Sequence, residues 1–199
     1  MCKTYILITY SSFTEGVFLS IGNEFGSFCF RYPDDIYDRI WSPYNPHGWK
    51  QISTTLAVAN EEHSNNGVPS TVFQTAATPE NASDNLRFSY QLINGTIALY
   101  VYMYFAEIEK LAADQTREFN VYVNGALFVT NASYSFLGHD TVMYVSSETE
   151  LQIWINRTNK ATMSPILNGI ELYEGKTLDL PETYQNDGTY HITYILYLI

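Results

Sequence analysis

Cysteine and positive charge are both scarce in this 199-residue chain. Its two cysteines, Cys2 and Cys29, leave room for one disulfide but do not require it, and without CxxC spacing they form no metal knuckle. Ten Lys and Arg stand against 21 Asp and Glu, giving a formal net charge of −11. Nucleic acids and anionic membrane surfaces need basic patches on their protein partners, so neither is an expected partner.

Catalytic and metal-binding motifs are also missing. HExxH, GxSxG and EF-hand patterns do not occur, and the four histidines are widely separated, so neither a metal nor a cofactor is expected. The stretch 169–177 looks like a phosphate-binding loop, but five residues rather than four separate Gly169 from Gly175, and it alternates as a strand. Glu107 and Glu109 are expected on a solvated face. We therefore predict no catalytic residue and no enzyme activity.

Long apolar runs are absent as well. The amino-terminal MCKTYILITYSS is too short and polar for the apolar region of a signal peptide. The final YHITYILYLI is far below the roughly 20 residues that a membrane span needs. Neither a leader nor a span is predicted in this chain, and we expect it to be a fragment or a truncated gene product.

The sequence nevertheless contains four Asn-x-Ser/Thr sequons, whereas chance supplies roughly one per 100–200 residues. Such sites are modified only in the secretory pathway, so they indicate an extracellular protein. Three lie in polar, turn-like stretches and the fourth ends an apolar alternation. The predicted glycosylation sites are Asn81, Asn94, Asn131 and Asn156.

Aromatic residues are plentiful, at 16% of the chain with 17 Tyr, and they favour strands over helices. Asn124-Gly125 inside Glu118–Val129 predicts a type I′ hairpin, and EIEKLAADQTR is long enough for one helical turn only. Short alternating segments separated by turn residues predict an all-β, antiparallel β-sandwich or jelly roll. The other predicted strands are VFQTA (72–76), LRFSYQL (86–92), IALYVYMYFA (97–106), TVMYV (141–145), ELQIWIN (150–156) and PILNGIELY (165–173).

The segment 97–106 is the clearest strand. Aliphatic residues occupy one face, beginning with Ile97, Leu99 and Val101, and this face is predicted to lie in the core. The opposite face presents a row of tyrosines that can meet solvent, a second layer or a ligand. Their candidate role is ligand binding, and the alternative is that they pack beneath a second layer or line an ordinary sheet surface. The row consists of Tyr100, Tyr102 and Tyr104.

A run of acids, rings and one Arg, PDDIYDRIWSPYN, occupies residues 33–45. Its apolar side chains can be buried while Asp34, Asp38 and Arg39 form ion pairs or caps beside them. The Arg39 guanidinium can also stack on a ring, and Trp41 lies close by. We therefore predict a structural clamp at these four residues rather than a ligand site.

Four separated stretches carry a family resemblance: RYPDDIYDRIWSPYN…WKQIST, ATPENAS, YVYMYFAEIEKLAADQTREFNVYVNG and PILNGIELY. They resemble, in the same order, the malectin-like domain in the ectodomains of plant leucine-rich-repeat receptor-like kinases. The resemblance divides the chain into a poorly matching segment at 1–30, a malectin-like β-sandwich domain at 31–175 and a divergent tail at 176–199. It implies a galactose-binding-like architecture.

The resemblance also implies a function. It indicates a non-catalytic extracellular recognition module at the plasma membrane, with a carbohydrate or peptide ligand and a co-receptor as partners. Animal malectin holds glucose oligosaccharides on an aromatic pair, but Glu109 and Lys110 stand at the corresponding place here. Asp179 corresponds to an acid of that sugar site and is a further ligand-binding candidate. The alternatives are an architectural spacer or a cryptic carbohydrate-active enzyme.

Overall fold

A computed structural model gives the fold and describes most of the chain between residues 5 and 176. Within those bounds it describes residues 5–10, 17–18, 39, 41–44, 46–58, 67–92 and 96–176. Twelve strands and one helical turn follow one another along the chain. They are β1 Tyr5–Tyr10, β2 Val17–Phe18, β3 Ser42–Pro43, β4 Trp49–Ser53, α1 Ser70–Phe73, β5 Thr75–Pro79, β6 Leu86–Gln91, β7 Thr96–Ala106, β8 Phe119–Val123, β9 Ala126–Ala132, β10 His139–Ser146, β11 Glu150–Arg157 and β12 Gly169–Lys176.

The strands form two main sheets and one ribbon. The six-stranded sheet has the order β10-β7-β12-β1-β2, with β3 also pairing with β1. The four-stranded sheet has the order β6-β11-β8-β9, and β4 pairs with β5 in the ribbon. Every described strand pair is antiparallel except β1 with β12, which is parallel. The all-β sandwich prediction is confirmed, with this one parallel pair as an exception.

The inner faces of the two sheets form the core. On β7, Leu99, Val101, Met103 and Phe105 are fully buried, as the alternation predicts. The Phe105 ring lies 5.2 Å from that of Phe119 on β8, centroid to centroid, and so joins the two sheets. The core also contains one buried polar contact between the sheets. The Tyr90 hydroxyl of β6 donates a hydrogen bond to the Glu174 carboxylate of β12 at 2.9 Å.

Two strand predictions are wrong at their starts. The predicted strand 165–173 begins only at Gly169, where β12 starts. Residues 72–76 are not one strand, because Ser70–Phe73 forms a helical turn and β5 begins only at Thr75. Val72 and Phe73 are both fully buried. A strand would send these neighbours to opposite faces, whereas the helical turn buries both. The segment 107–117, where one helical turn was expected, contains no helix.

The hairpin prediction is confirmed. Val123 of β8 pairs with Ala126 of β9 across a two-residue turn. Asn124 has φ 48° and Gly125 has φ 80°, the left-handed conformation that a type I′ turn requires at both central residues. A Cβ on Gly125 would meet nothing within 4 Å, so backbone strain alone favours glycine here.

We expect Gly125→Ala to lower the free energy of unfolding by about 1 kcal/mol, because alanine is strained in left-handed backbone. Gly175→Ala is the matched control, since its Cβ would make only ordinary contacts, the nearest at 3.5 Å to the Ala98 carbonyl oxygen. Urea denaturation of both variants measures the difference. Equal stability of the two variants would contradict the role given to the turn.

Candidate functional site

The outer face of the six-stranded sheet carries the predicted tyrosine row. Strands β10, β7 and β12 lie side by side here, so their outward side chains form rows across the sheet. In register, Tyr100 lies between Val145 and Tyr173, Tyr102 between Met143 and Glu171, and Tyr104 between Thr141 and Gly169. The sheet thus presents nine outward positions in three rows, with one tyrosine of β7 at the centre of each.

The row at Tyr104 is covered by other parts of the chain. Tyr104 is 0% exposed. Its ring packs edge-on against Trp41 at 6.1 Å and against Phe73 of α1 at 5.8 Å, centroid to centroid. Burial, and next the charge of Glu171, hold the pKa of the Tyr104 hydroxyl far above its usual value. Tyr104, predicted as a ligand-contacting ring, is therefore enclosed by protein and does not reach the surface.

Asn168, just before β12, ties this cover to the sheet. Its side-chain oxygen accepts a hydrogen bond from the Ala106 backbone N–H at 2.7 Å. Its amide nitrogen donates to the Phe73 carbonyl at 3.0 Å and to the Thr75 carbonyl at 2.9 Å. Asn168 is fully buried, so these contacts satisfy backbone groups that would otherwise lose water without replacement.

Arg39 holds the other side of the cover. Its guanidinium donates to the Glu171 carboxylate at 2.8 Å and to the Gly67 carbonyl at 2.6 Å, and it lies 5.2 Å from the centre of the Trp41 ring. Arg39 and Glu171 are both buried. These contacts fit the predicted clamp at Arg39 and Trp41, although sequence reasoning did not select Glu171. The other two predicted members, Asp34 and Asp38, lie outside the described residues.

The two remaining rows are at least partly open to solvent, except at the buried Glu171. Tyr100 is 40% exposed, Met143 50% and Val145 45%, while Tyr102 and Tyr173 are partly exposed. The Tyr102 and Tyr173 rings meet edge-on at 5.9 Å. We call these five residues the outer tyrosine patch. Sequence reasoning found only its two β7 tyrosines, because the register that adds the other three is a long-range property.

Tyr173 connects this patch to the buried clamp. Its hydroxyl donates a hydrogen bond to the second oxygen of the Glu171 carboxylate at 2.9 Å. Burial, and next the charge of Glu171, raise the pKa of Tyr173 above its usual value. The hydroxyl therefore stays protonated at neutral pH and remains a donor. This hydrogen bond consequently ties the edge of the patch to the buried clamp.

The acidic pair at the end of β7 differs from its predicted setting. Glu107 is not solvated but buried, with one carboxylate oxygen 3.5 Å from Arg117 Nε and the other accepting the Glu109 backbone N–H at 2.9 Å. Arg117 also donates to the Glu109 carboxylate at 2.6 Å. Burial raises the pKa of Glu107, and Arg117 opposes that rise. The pair therefore fixes a loop, because both carboxylates are held by one cation.

The other predicted sites are dispersed. Asn81 and Asn131 are exposed, Asn156 is partly exposed on β11, and Asn94 lies outside the described residues, as do Asp179, Cys2 and Cys29. No group of three or more His, Cys, Asp or Glu side chains among the described residues could hold a metal ion. In the same part of the chain, no helix has the length and apolar character to span a membrane.

Residues 4–175 match the family model described as the malectin-like domain. Two Arabidopsis thaliana relatives match about four fifths of the chain. A probable LRR receptor-like serine/threonine-protein kinase is 38% identical over 161 residues, covering 79% of this chain and 18% of its own length. The probable LRR receptor-like kinase MEE39 is 35% identical over 169 residues, with the same coverages. The chain thus spans about a fifth of these relatives.

Solved ectodomain structures share the fold. The plant receptor-like kinase FER superposes with a TM-score of 0.61 at 17% identity, covering 77% of this chain and 48% of that chain. The ANX2 ectodomain of Arabidopsis thaliana gives 0.59 at 14%, covering 76% and 48%. A complex of the plant peptide RALF23 with FER and LLG2 gives 0.61 at 16%, covering 88% and 49%. The family match starts at residue 4, inside the segment set apart as 1–30, and ends at 175.

We expect Arg39→Ala to lower the free energy of unfolding by about 3 kcal/mol, because it removes the counter-charge of a buried carboxylate. Arg87→Ala is the matched control. Arg87 stacks on Trp154 at nearly the same distance, 5.1 Å, but it is exposed, and its loss should cost less than about 1 kcal/mol. Chemical denaturation compares the two, and similar losses would contradict the clamp.

A second prediction concerns pH and Glu107. A carboxyl whose pKa is higher in the folded than in the unfolded chain stabilises the fold fully below its unfolded pKa, and this contribution is lost as pH rises through the folded pKa. We therefore expect wild-type stability, relative to the non-titrating Glu107→Gln variant, to fall from about pH 4 upwards. Urea denaturation across pH measures it. A difference that rises with pH would show the opposite shift.

Proposed function

Because the chain belongs to the malectin-like domain family, we propose that it is a non-catalytic recognition module that binds a partner peptide or protein through the outer tyrosine patch. Its relatives are receptor-like kinases of a plant, and the part of them that it matches is the malectin-like ectodomain. The module acts on the extracellular side of the plasma membrane, as part of such a receptor. The kinase chemistry of the relatives belongs to a different domain.

The observation that carries this proposal is the exposure of apolar side chains on a rigid surface. Tyr100, Met143 and Val145 are each at least 40% exposed on adjacent strands. Aromatic side chains and Met are enriched in interface cores, where they bury large areas. On the same face of the sheet, the buried Arg39–Glu171 pair lies beside the patch and anchors its edge. A preformed, partly apolar surface of this kind loses little conformational entropy when a partner docks.

Charge favours a basic partner. The chain has a formal net charge of −11, which attracts cationic ligands over long range and repels acidic polysaccharides. The solved complex of FER with the peptide RALF23 and LLG2 shows that a structure of the same fold takes part in peptide and protein assembly. We infer a similar kind of ligand for this chain, with a second receptor protein as a further partner.

The position used for sugars in animal malectin supports the same choice. Glu109 is held by Arg117 at 2.6 Å, and Lys110 beside it is exposed. Neither residue supplies a ring on which a sugar can stack. Tyr100 and Tyr102 supply rings elsewhere, but they are flanked by Met143 and Val145, whose side chains offer a sugar no hydrogen bonds. The patch therefore suits an apolar and basic peptide better than a glycan.

The proposal is tested by measuring binding of the secreted full chain to RALF23 and to synthetic peptides of basic, neutral or acidic composition. We expect basic peptides to bind best, and added salt to weaken binding by screening. The double variant Tyr100→Ser/Met143→Ser should bind about tenfold more weakly or worse, because truncating a central interface residue typically costs more than 1 kcal/mol.

Leu127→Ser is the matched control. Leu127 is 54% exposed on the four-stranded sheet, so this variant removes an equally exposed apolar side chain away from the patch and should bind normally. If the wild-type chain binds neutral gluco-oligosaccharides and the double variant of the patch binds them equally well, the proposal is contradicted. Absence of binding to every probe would favour an architectural spacer, and turnover of a plant glycan would favour an enzyme.

A further inference from the structure

The outer face of the four-stranded sheet carries a second exposed aromatic row. In register across its strands lie Arg87 of β6, Trp154 of β11, Tyr122 of β8 and Leu127 of β9. Trp154 is 37% exposed, whereas the other two tryptophans, Trp41 and Trp49, are buried. Adjoining exposed side chains of this kind can form a surface on which another group packs. We call this row the tryptophan row.

A glycosylation sequon lies directly beside this row. Leu151, Ile153 and Ile155 of β11 point into the core, so Trp154 and Asn156 both point outward. Two residues along a strand span about 6.6 Å, which is close to the size of one sugar ring. Asn156, in the sequon Asn-Arg-Thr, therefore holds its side chain next to the tryptophan ring.

The Asn156 amide is oriented suitably for attachment. Its side-chain oxygen is buried and makes no hydrogen bond within the described residues, while the side chain as a whole is partly exposed. An N-linked sugar is attached to Nδ2, so the buried oxygen is not the atom that has to be reached. Asn120 of β8 lies opposite Asn156 and offers a further amide beside the sugar.

The other described sequons lack this arrangement. Pro79 stands two residues before Asn81, and Val129 two residues before Asn131, so neither site has a ring at the equivalent position. The Arg87 guanidinium lies 5.1 Å from the centre of the Trp154 ring and stacks on it. Trp154 is still 37% exposed, and the C–H face of a pyranose ring can stack on an indole ring.

We propose that Asn156 carries an N-linked glycan whose first N-acetylglucosamine packs on Trp154 and covers the tryptophan row. In the transfer, Nδ2 attacks C1 of that sugar in a lipid-pyrophosphate-linked oligosaccharide. The Nδ2–C1 bond forms, the C1–O bond breaks, the lipid pyrophosphate leaves with the electron pair, and Nδ2 loses one proton. The inference depends on the proposed function only for the extracellular location.

The test uses the full chain, secreted from plant cells with its glycans kept in the high-mannose form. Glycopeptide mass spectrometry measures occupancy of Asn156. Acrylamide quenching of tryptophan fluorescence then reports mainly on Trp154, because Trp41 and Trp49 are buried. We expect quenching to stay low after endoglycosidase H leaves a single N-acetylglucosamine, and to increase in Asn156→Gln.

Asn131→Gln is the matched control, because it removes an exposed sequon without a ring and should leave quenching unchanged. If Asn156 carries no glycan on a chain that is glycosylated at Asn131, this inference alone is overturned. It is also overturned if Asn156 is glycosylated and acrylamide still quenches Trp154 fully. Failure of peptide binding by a chain glycosylated at Asn156 would instead contradict the proposed function and leave this inference standing. A secreted chain that carries no glycan at any sequon would also contradict this inference.

Discussion

The arrangement of the surface depends on one buried amide. Asn168 bonds the end of β7, the helical turn α1 and the start of β5 at once, through three backbone groups within 3.0 Å. It thereby holds Phe73 over Tyr104, which determines where the covered part of the sheet ends. Hydrophobic contact alone is non-directional and would not set that boundary. The hydrogen bonds do, and the position of the outer tyrosine patch follows from them.

Some of the few cationic side chains of this acidic chain form ion pairs in its interior. Arg39 and Arg117 are both buried, each beside a buried glutamate, Glu171 and Glu107 respectively. Such pairs add little net stability over apolar packing but penalise every arrangement that separates the charges. They therefore specify which loop lies on which strand. Because each buried cation is paired with a buried carboxylate, these pairs leave the excess of negative charge at the surface unchanged.

Local patterns predicted the strands and the hairpin, while tertiary contacts decided the exceptions. The alternation from Leu99 to Phe105 and the Asn124-Gly125 pair carry their own signals, since period-two burial and positive φ are local properties. Residues 72–76 are also predicted as a strand from their residue types, but Phe73 packs on Tyr104 from a helical turn there. The partner of Arg39 lies 132 residues away at Glu171, and nothing near Arg39 in the sequence identifies it. The same holds for Met143 and Val145, which join the patch through strand register.

The parallel pairing of β1 with β12 has a consequence for biosynthesis. Their paired residues, such as Tyr5 and Gly169, are 164 positions apart, so this ladder closes only when nearly all of the described chain has been made. During vectorial synthesis β1 can already pair with β2 and β3, but its other edge waits on the order of ten seconds for β12 to emerge. An unpaired edge of this kind is a template for wrong pairing. Nascent chains are therefore most vulnerable to misassembly in that interval, and chaperones that bind nascent chains would have most to protect there.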